Sequence, residues 1–334
     1  MFWPLDNGIQ VPWFDGAYVD DINNNLVLIE TKSSNRSCEL VHIDSNFNVI
    51  KRESGFECGA QHYTVYNGYE YIIQTDWAYD YTNGGGLGFR VSNRKLGMES
   101  WKQASVDHAP TSYDFFKGVL AYTVEDKVIF FKDSVTIDTI VDANGLGFEQ
   151  VRMLDSNNFI AVNGYESLQI RNKNGIVKSR KIVIENYIYV ELDGSKNIFV
   201  LNQDSLIEYN PKNLTQVKAI DLNSFDTSYC KGLFIDNEKI YAYKKNSLLA
   251  FDHQLNFKWS IDIAESNIDI DDIVEFKGYT IISGKQGGFG FVKTFDLKTG
   301  EPTQKSCEFK ITGQRNYLKT NDTNYTIQVR IENT

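Results

Sequence analysis

Two segments of the chain combine residue types that could bind a partner or a ligand. Segment 75–86 carries three large aromatic side chains beside two aspartates, and segment 265–272 carries three aspartates and a glutamate. Trp and Tyr beside charged groups are typical of the residues that dominate protein interfaces, whereas clustered carboxylates offer oxygen ligands to Ca²⁺. The second segment lacks the central Gly and terminal Glu of an EF-hand loop, which favours a solvated loop over a calcium site.

The aromatic segment is unusual in its length. It places Trp77, Tyr79 and Tyr81 beside Asp76 and Asp80 in a connection of about twelve residues, where the comparable turns of the chain span only a few. Long loops with their own aromatic side chains are commonly functional. We therefore expect this loop to be a binding hot spot, and the alternative is a loop folded back onto its own strands.

Other catalytic and metal-binding patterns do not emerge from the spacing. A Gly-rich phrase occurs at 86–89, 145–148 and 288–291, and each copy runs from a turn into a strand. A phosphate site needs such glycines before a helix, so close hairpin packing is the better interpretation. The four histidines are far apart, and neither HExxH nor a paired Cys/His spacing is present. No metal site, cofactor or catalytic residue is predicted.

Charge and cysteine content indicate the class of partner and the compartment. The chain has 34 Lys+Arg against 44 Asp+Glu, a net charge of −10. Duplex binding needs a basic face, so nucleic acid is excluded as a partner and a basic protein is favoured, although acidity also simply promotes solubility. Four scattered cysteines without CxxC spacing indicate reduced thiols. With no apolar run long enough for a membrane and no secretion signal, we expect a cytoplasmic protein.

The elements that must position these residues are short strands in a repeating unit. The clearest unit places apolar alternation at 232–236, 239–243, 247–252 and 257–261, with polar turns between. Period-two alternation of this kind predicts four antiparallel strands, and no convincing helical period is found. The chain is therefore predicted to be all-β.

The four-strand unit recurs seven times between residues 16 and 310, opening near 16, 62, 112, 150, 187, 231 and 272. Units of about 37 to 50 residues with four strands match the blades of a β-propeller. We predict one domain over 1–334 with seven blades, and eight blades as the alternative. Strands at 315–331 are expected to close the ring. Aromatic residues of the third strands are expected to fill the wedges between blades: Phe130, Tyr209, Phe251 and Phe295.

The fourth-strand hairpins carry a family resemblance. The phrases 251–259 and 295–300, the latter reading Phe-Asp-Leu-Lys-Thr-Gly, resemble the "Phe/Leu-Asp-x-x-Thr-Gly-x-x-x-Trp" phrase of quinoprotein-like propeller repeats. The paired GH and WD signatures of WD40 repeats are absent. A pyrroloquinoline quinone enzyme would need a catalytic aspartate and a calcium site that we do not find. The resemblance therefore implies the propeller architecture without the enzyme.

In a propeller, the turns between second and third strands emerge on the same face as the connections between blades. This face would be acidic and aromatic, which suits a basic protein partner. Its expected partner-binding residues are Trp77, Tyr79, Asp80, Tyr81, Asp107, Phe225, Asp226, Tyr229, Asp269, Asp271 and Asp272. Glu57, Asp142 and Glu149 would lie on the same face.

The sequence thus favours a non-enzymatic propeller that binds a basic protein, in its narrowest form an acidic antitoxin or immunity-type inhibitor. The alternative is a glycan hydrolase or lyase that uses a carboxylate pair in the central cleft. Carboxylates converging at the axis with raised pKa values would favour the enzyme, and a flat acidic face would favour the binding protein.

Overall fold

The computed structural model describes residues 13–303, apart from 21–22, 33–36, 58–59, 77–87, 96–101, 107–111, 133–134, 143–144, 146, 165–166, 183–187, 264–267 and 287–288. Within these ranges the regular structure consists of 27 β-strands. The strands form seven sheets, and sequence neighbours pair antiparallel in every sheet. None of the residues described forms a helix long and apolar enough to cross a membrane.

The first four sheets follow one another along the chain. Blade 1 contains β1 (Trp13–Asp20), β2 (Asn25–Lys32), β3 (Ser37–Ile43) and β4 (Val49–Glu57). Blade 2 contains β5 (Ala60–Tyr66), β6 (Tyr69–Asp76), β7 (Gly88–Lys95) and β8 (Lys102–Val106). Blade 3 contains β9 (Ser112–Phe116), β10 (Val119–Val124), β11 (Lys127–Lys132) and β12 (Val135–Val141). Blade 4 contains β13 (Phe148–Met153), β14 (Asn158–Asn163), β15 (Ser167–Asn172) and β16 (Gly175–Lys181).

The remaining three sheets complete the described chain. Blade 5 contains β17 (Tyr189–Leu192), β18 (Ile198–Leu201), β19 (Ser205–Tyr209) and β20 (Gln216–Asp221). Blade 6 contains β21 (Cys230–Ile235), β22 (Ile240–Lys244), β23 (Ser247–Phe251) and β24 (Phe257–Asp262). Blade 7 contains β25 (Ile268–Phe276), β26 (Tyr279–Gln286) and β27 (Phe289–Asp296). A single bridge between Phe295 and Pro302 follows β27.

The seven sheets form a ring, because the first blade packs against the last. Ala17, Leu28 and Val41 of blade 1 share one apolar cluster with Val274 and Ile281 of blade 7. The prediction of an all-β, seven-bladed propeller is confirmed. The strands predicted at 315–331 lie outside the described residues.

Aromatic residues on the third strands fill the spaces between blades, as the sequence predicts. Tyr209, Phe251 and Phe295 are all buried, and each joins an apolar cluster with the preceding blade. Phe130 is partly buried, and its ring lies 5.4 Å from that of Phe159 in the next blade. Burial of a side chain of this size stabilises the fold by about 1.5–3 kcal/mol.

In the turns between third and fourth strands of blades 6 and 7, an aspartate at the start of the turn accepts hydrogen bonds from backbone N–H groups. In blade 6, the Asp252 carboxylate accepts hydrogen bonds from the backbone N–H groups of Gln254 and Asn256, at 3.0 and 2.8 Å. Between them, Leu255 adopts a left-handed φ of 58° and buries its side chain. The short Asp side chain closes the turn and offsets part of the cost of this conformation.

Blade 7 uses a glycine at the corresponding position. Gly300 has φ 71°, and a Cβ atom there would come within 2.6 Å of the Trp259 ring. The Trp259 indole N–H donates to the Leu297 carbonyl at 3.1 Å. Only glycine permits both this backbone conformation and this close approach.

Two of the four cysteines fall in the described ranges. The side chains of Cys38 and Cys230 are both buried. Burial raises the pKa of Cys230 to about 11. The other two, Cys58 and Cys307, lie outside the described residues, so the expectation of four free thiols stays a prediction.

Candidate functional site: the axial cavity

The first strands of all seven blades surround a cavity on the axis of the ring. Its volume is about 800 Å³, and its wall includes residues of β1, β5, β9, β13, β17, β21 and β25. Pockets that bind small molecules or peptide side chains have volumes of roughly 300–1,000 Å³. The cavity is therefore large enough to hold a ligand or several inserted side chains.

Acidic residues dominate the charge of the cavity wall. Arg152 of β13 is the one lysine or arginine among the described lining residues, against six carboxylates. The carboxylates belong to Asp114, Glu149, Glu191, Asp236, Asp271 and Asp272. A low-dielectric wall with charges of one sign concentrates counter-ions in such a cleft.

Arg152 forms a bidentate ion pair within the cavity. Its guanidinium binds Glu191 through two parallel contacts, Nη2 to Oε1 and Nε to Oε2, the latter at 2.9 Å. Nη1 also donates to Ser112 Oγ at 3.1 Å and to the Tyr113 carbonyl at 3.2 Å. This bidentate geometry ties blades 3, 4 and 5 together at the axis.

Several cavity side chains bind the backbone of the next blade. The innermost strand of each sheet leaves backbone groups without a strand partner, and those groups need hydrogen bonds when buried. The observed pairs are Asp114 Oδ2 with Met153 N (2.6 Å), Gln150 Oε1 with Val190 N (2.8 Å), Asp236 Oδ2 with Glu275 N (2.5 Å), and the Asp272 carboxylate with Ala17 N. Part of the acidic wall thus has a structural role.

Asp272 is a buried carboxyl of the cavity with a raised pKa. Burial raises its pKa to about 8, and the charges of Asp236 and Glu191 act in the same direction. Hydrogen bonds from the backbone N–H groups of Ile273 and Ala17 oppose the shift without cancelling it. Asp272 is therefore mostly protonated at neutral pH.

Two further carboxyls on first strands, those of Asp114 and Glu275, behave similarly. Burial raises the pKa of Asp114, and the positive charge of Arg152 opposes that shift. Burial, followed by the charge of Asp236, raises the pKa of Glu275 to about 7. Perturbed carboxyls of this kind are enriched at functional sites, although structural networks also produce them.

The structure separates the residues predicted to form one acidic face. Asp271 and Asp272 line the cavity, whereas the Asp269 side chain is 67% exposed and pairs with Lys231. Asp271 lies 3.5 Å from the Lys285 ammonium. The three aspartates of the candidate calcium segment therefore point to different surroundings.

Three of the residues predicted to bind a partner lie in the connection between blades 5 and 6. The Phe225 ring stacks on Phe257 with centroids 4.7 Å apart. Asp226 accepts a hydrogen bond from Ser247 Oγ at 2.7 Å. Tyr229 is 44% exposed. Their role in binding stays a prediction, as does that of Trp77, Tyr79, Asp80, Tyr81 and Asp107, which lie outside the described residues.

The sequence interpretation missed most of the cavity. Asp114, Arg152, Glu191 and Asp236 belong to first strands or the turns directly after them, and none was identified as a site residue. A signal was present, since each charge interrupts an apolar first strand, as in the Tyr-Asp-Phe of 113–115. Superimposing the first strands of the seven repeats would have collected these charges on the axis.

No protein-family model matches the chain, and no curated protein is significantly similar to it. Solved structures do share its fold. Raptor from Chaetomium thermophilum superimposes with a TM-score of 0.62 at 10% identity, over 89% of this chain and 29% of the Raptor chain. The WD40 β-propeller domain of Doa1 superimposes with a TM-score of 0.57 at 9% identity, over 85% of this chain and 93% of that domain. At these identities the similarity establishes the fold alone: the chain is a β-propeller of the architecture seen in WD40 domains.

Proposed function

We propose that this propeller binds a basic protein partner and that the axial cavity receives lysine or arginine side chains of that partner. The observation that carries the proposal is the composition of the cavity wall, with six acidic residues, of which Asp272 is mostly neutral, and one arginine among its described residues. Charge complementarity of this kind accelerates association and selects a partner of opposite charge. The net charge of −10 acts in the same direction at longer range.

The narrower form of the proposal is an acidic antitoxin or immunity-type inhibitor that acts in the cytoplasm. A cytoplasmic inhibitor that covers a basic toxin needs an acidic surface and no catalytic group of its own. The aromatic loop at 75–86 supplies a second contact region in this proposal, because large aromatic side chains anchor interfaces. The quinoprotein-like phrase contributes to blade packing at Gly300 and Trp259, and we assign it no catalytic role.

Neutralising two cavity carboxylates should weaken binding of a cationic peptide. We expect the Glu149→Gln/Asp271→Asn variant to bind labelled hexa-arginine about tenfold more weakly than the parent protein, because two lost charges together correspond to about 1.4 kcal/mol. Fluorescence polarisation at low ionic strength measures this difference.

The matched control removes the same charge elsewhere. Asp138 on the outermost strand of blade 3 and Glu301 after blade 7 are both exposed. Asp138→Asn/Glu301→Gln should change the affinity less than twofold, because exposed charges are screened. Equal weakening in both double variants would mean that the peptide responds to net charge, and the cavity would lose its assigned role.

Binding should also depend on the ionisation of Asp272. Its carboxyl is neutral below its pKa of about 8 and carries a negative charge above it, so the attraction for a cation increases as the pH rises through that value. We expect N-acetylated hexa-arginine, whose positive charge is constant in this range, to bind about fivefold more tightly at pH 9 than at pH 6.5. In Asp272→Asn the increase should disappear. An identical increase in both proteins would assign the effect to other groups, such as Glu275.

A second candidate is a glycan hydrolase or lyase, and the same cavity supports it. Carboxylates converge at the axis, and Asp272 and Asp114 have raised pKa values, as a general acid requires. We prefer the binding proposal because both carboxylates hold backbone N–H groups that join blades, which gives the shifts a structural cause. Release of reducing ends from a polysaccharide panel, lost in Asp272→Asn, would establish the enzyme instead.

A further inference from the structure

A second cluster of titratable side chains lies between blades 1 and 2, away from the axial cavity. It consists of His42 on β3, Glu53 on β4 and Glu70 on β6. One nitrogen or oxygen atom from each residue lies within 4.8 Å of the other two. The residues belong to three strands of two blades, so no linear spacing in the sequence reveals them.

Two atoms of the cluster are buried without a hydrogen bond of acceptable geometry: His42 Nε2 and Glu53 Oε1. They face each other at 3.4 Å, and their side chains are 8% and 9% exposed. Two ligands of a tetrahedral Zn²⁺ ion, each about 2.05 Å from the metal, are separated by about 3.4 Å. The spacing of this pair therefore matches the edge of a zinc coordination sphere.

Neighbouring groups orient both carboxylates, Glu53 through the oxygen that does not face His42 and Glu70 through both of its oxygens. Arg94 donates from Nη1 to Glu53 Oε2 at 2.6 Å and from Nε to Glu70 Oε2 at 2.5 Å. Tyr63 donates its hydroxyl proton to Glu70 Oε1 at 2.8 Å. Carboxylates that bind a metal are commonly oriented by such outer hydrogen bonds. Arg94 thus fixes both carboxylates while Glu53 Oε1 stays directed at His42.

The charge of the surroundings suits a divalent cation. Asp20, which is buried beside the cluster, and the two glutamates carry three negative charges against the single positive charge of Arg94. Lys51 lies in ion-pair contact with Glu53 Oε1, but its side chain is 56% exposed and is able to turn into solvent. An adjoining cavity of about 410 Å³, lined by Asp20, His42, Lys51 and Glu70, gives access from outside.

We propose that His42, Glu53 and Glu70 bind one zinc ion, which displaces Lys51 and leaves a coordination position open to the adjoining cavity. Three protein ligands with one open position is the arrangement of zinc sites that keep an exchangeable water. The alternative is an ion-pair network in which Arg94 and Lys51 alone balance the two glutamates. This proposal does not depend on the function proposed for the axial cavity.

Calorimetric titration of the full chain with zinc chloride tests the proposal. We expect one equivalent of zinc to bind, and Co²⁺ in its place to show the visible absorption of a four- or five-coordinate site. His42→Ala and Glu53→Gln should each weaken zinc binding more than about a hundredfold, since even outer partners of a ligand contribute 10–100-fold. Mg²⁺ should not compete, because it prefers six oxygen ligands.

A third variant distinguishes the two interpretations even if the buried substitutions impair folding. Lys51→Ala removes an exposed competitor for Glu53 Oε1, so it should bind zinc at least about threefold more tightly than the parent protein. Weaker or unchanged binding in Lys51→Ala, or no zinc binding by the parent protein at micromolar concentration, would leave only the ion-pair network and overturn the proposal.

Discussion

Replacing Arg152 by leucine should lower the free energy of unfolding by about 3 kcal/mol. The substitution leaves the Glu191 carboxylate without its bidentate partner and removes the donors to Ser112 and the Tyr113 carbonyl. Removing one member of a buried ion pair typically costs 3–5 kcal/mol, and the lower end applies because the side chains of Arg152 and Glu191 are 19% and 27% exposed. Urea unfolding followed by circular dichroism measures the change.

The double variant Arg152→Leu/Glu191→Leu is the control for this result. With both side chains apolar, the unpaired Glu191 carboxylate of the single variant is gone, so most of the lost stability should return. If the double variant were as unstable as the single one, the loss would come from packing around the arginine stem and not from the ion pair.

Phe251→Ala should destabilise the protein about as much, lowering the free energy of unfolding by about 3–5 kcal/mol. The side chain is fully buried and packs against Phe199 and Leu206 of the preceding blade, so its removal leaves a cavity in the wedge between blades 5 and 6. The matched control is Phe257, its direct partner across the β23–β24 pair, which is 42% exposed. Phe257→Ala should cost about 1 kcal/mol, chiefly from its stacking with Phe225.

Comparable losses of stability in the two variants would contradict the assignment of Phe251 to the core between blades. Thermal melting provides an independent measurement. Because the two residues are the same amino acid on paired strands, differences in strand propensity do not enter the comparison.

The sequence predicts the fold best where the four-strand pattern recurs along the chain. The apolar pattern around Leu248–Phe251 predicts a strand that is buried between blades. A large aromatic residue such as Phe251 recurs on the third strand of several repeats. Repetition compensates for the weakness of any single strand signal, because seven similar four-strand units together are typical of a β-propeller. The number of blades followed from the same repetition.

The axial cavity was harder to predict for a physical reason. Asp114 and Arg152 become neighbours only when the first strands of blades 3 and 4 pack side by side, and no local pattern in either strand reveals that contact. Alternation identifies the buried face of a strand but not which groups on the innermost strands face each other across the axis. The residues that loop order assigned to one acidic face therefore lie in different places, with Asp271 and Asp272 in the cavity and Asp269 outside it.

The contact between blades 1 and 7 has a consequence for how the chain folds during synthesis. Ala17 packs with Val274, so the apolar side of the first blade is covered only after nearly the whole described chain has been made. At about 5–20 residues per second, this side stays uncovered for on the order of 10 to 50 s on the ribosome. Each later blade can pack against the preceding blade as soon as it is made, whereas this side of blade 1 is covered only when blade 7 has been synthesised. Nascent chains released before blade 7 should therefore be the species most prone to aggregate and most dependent on chaperones.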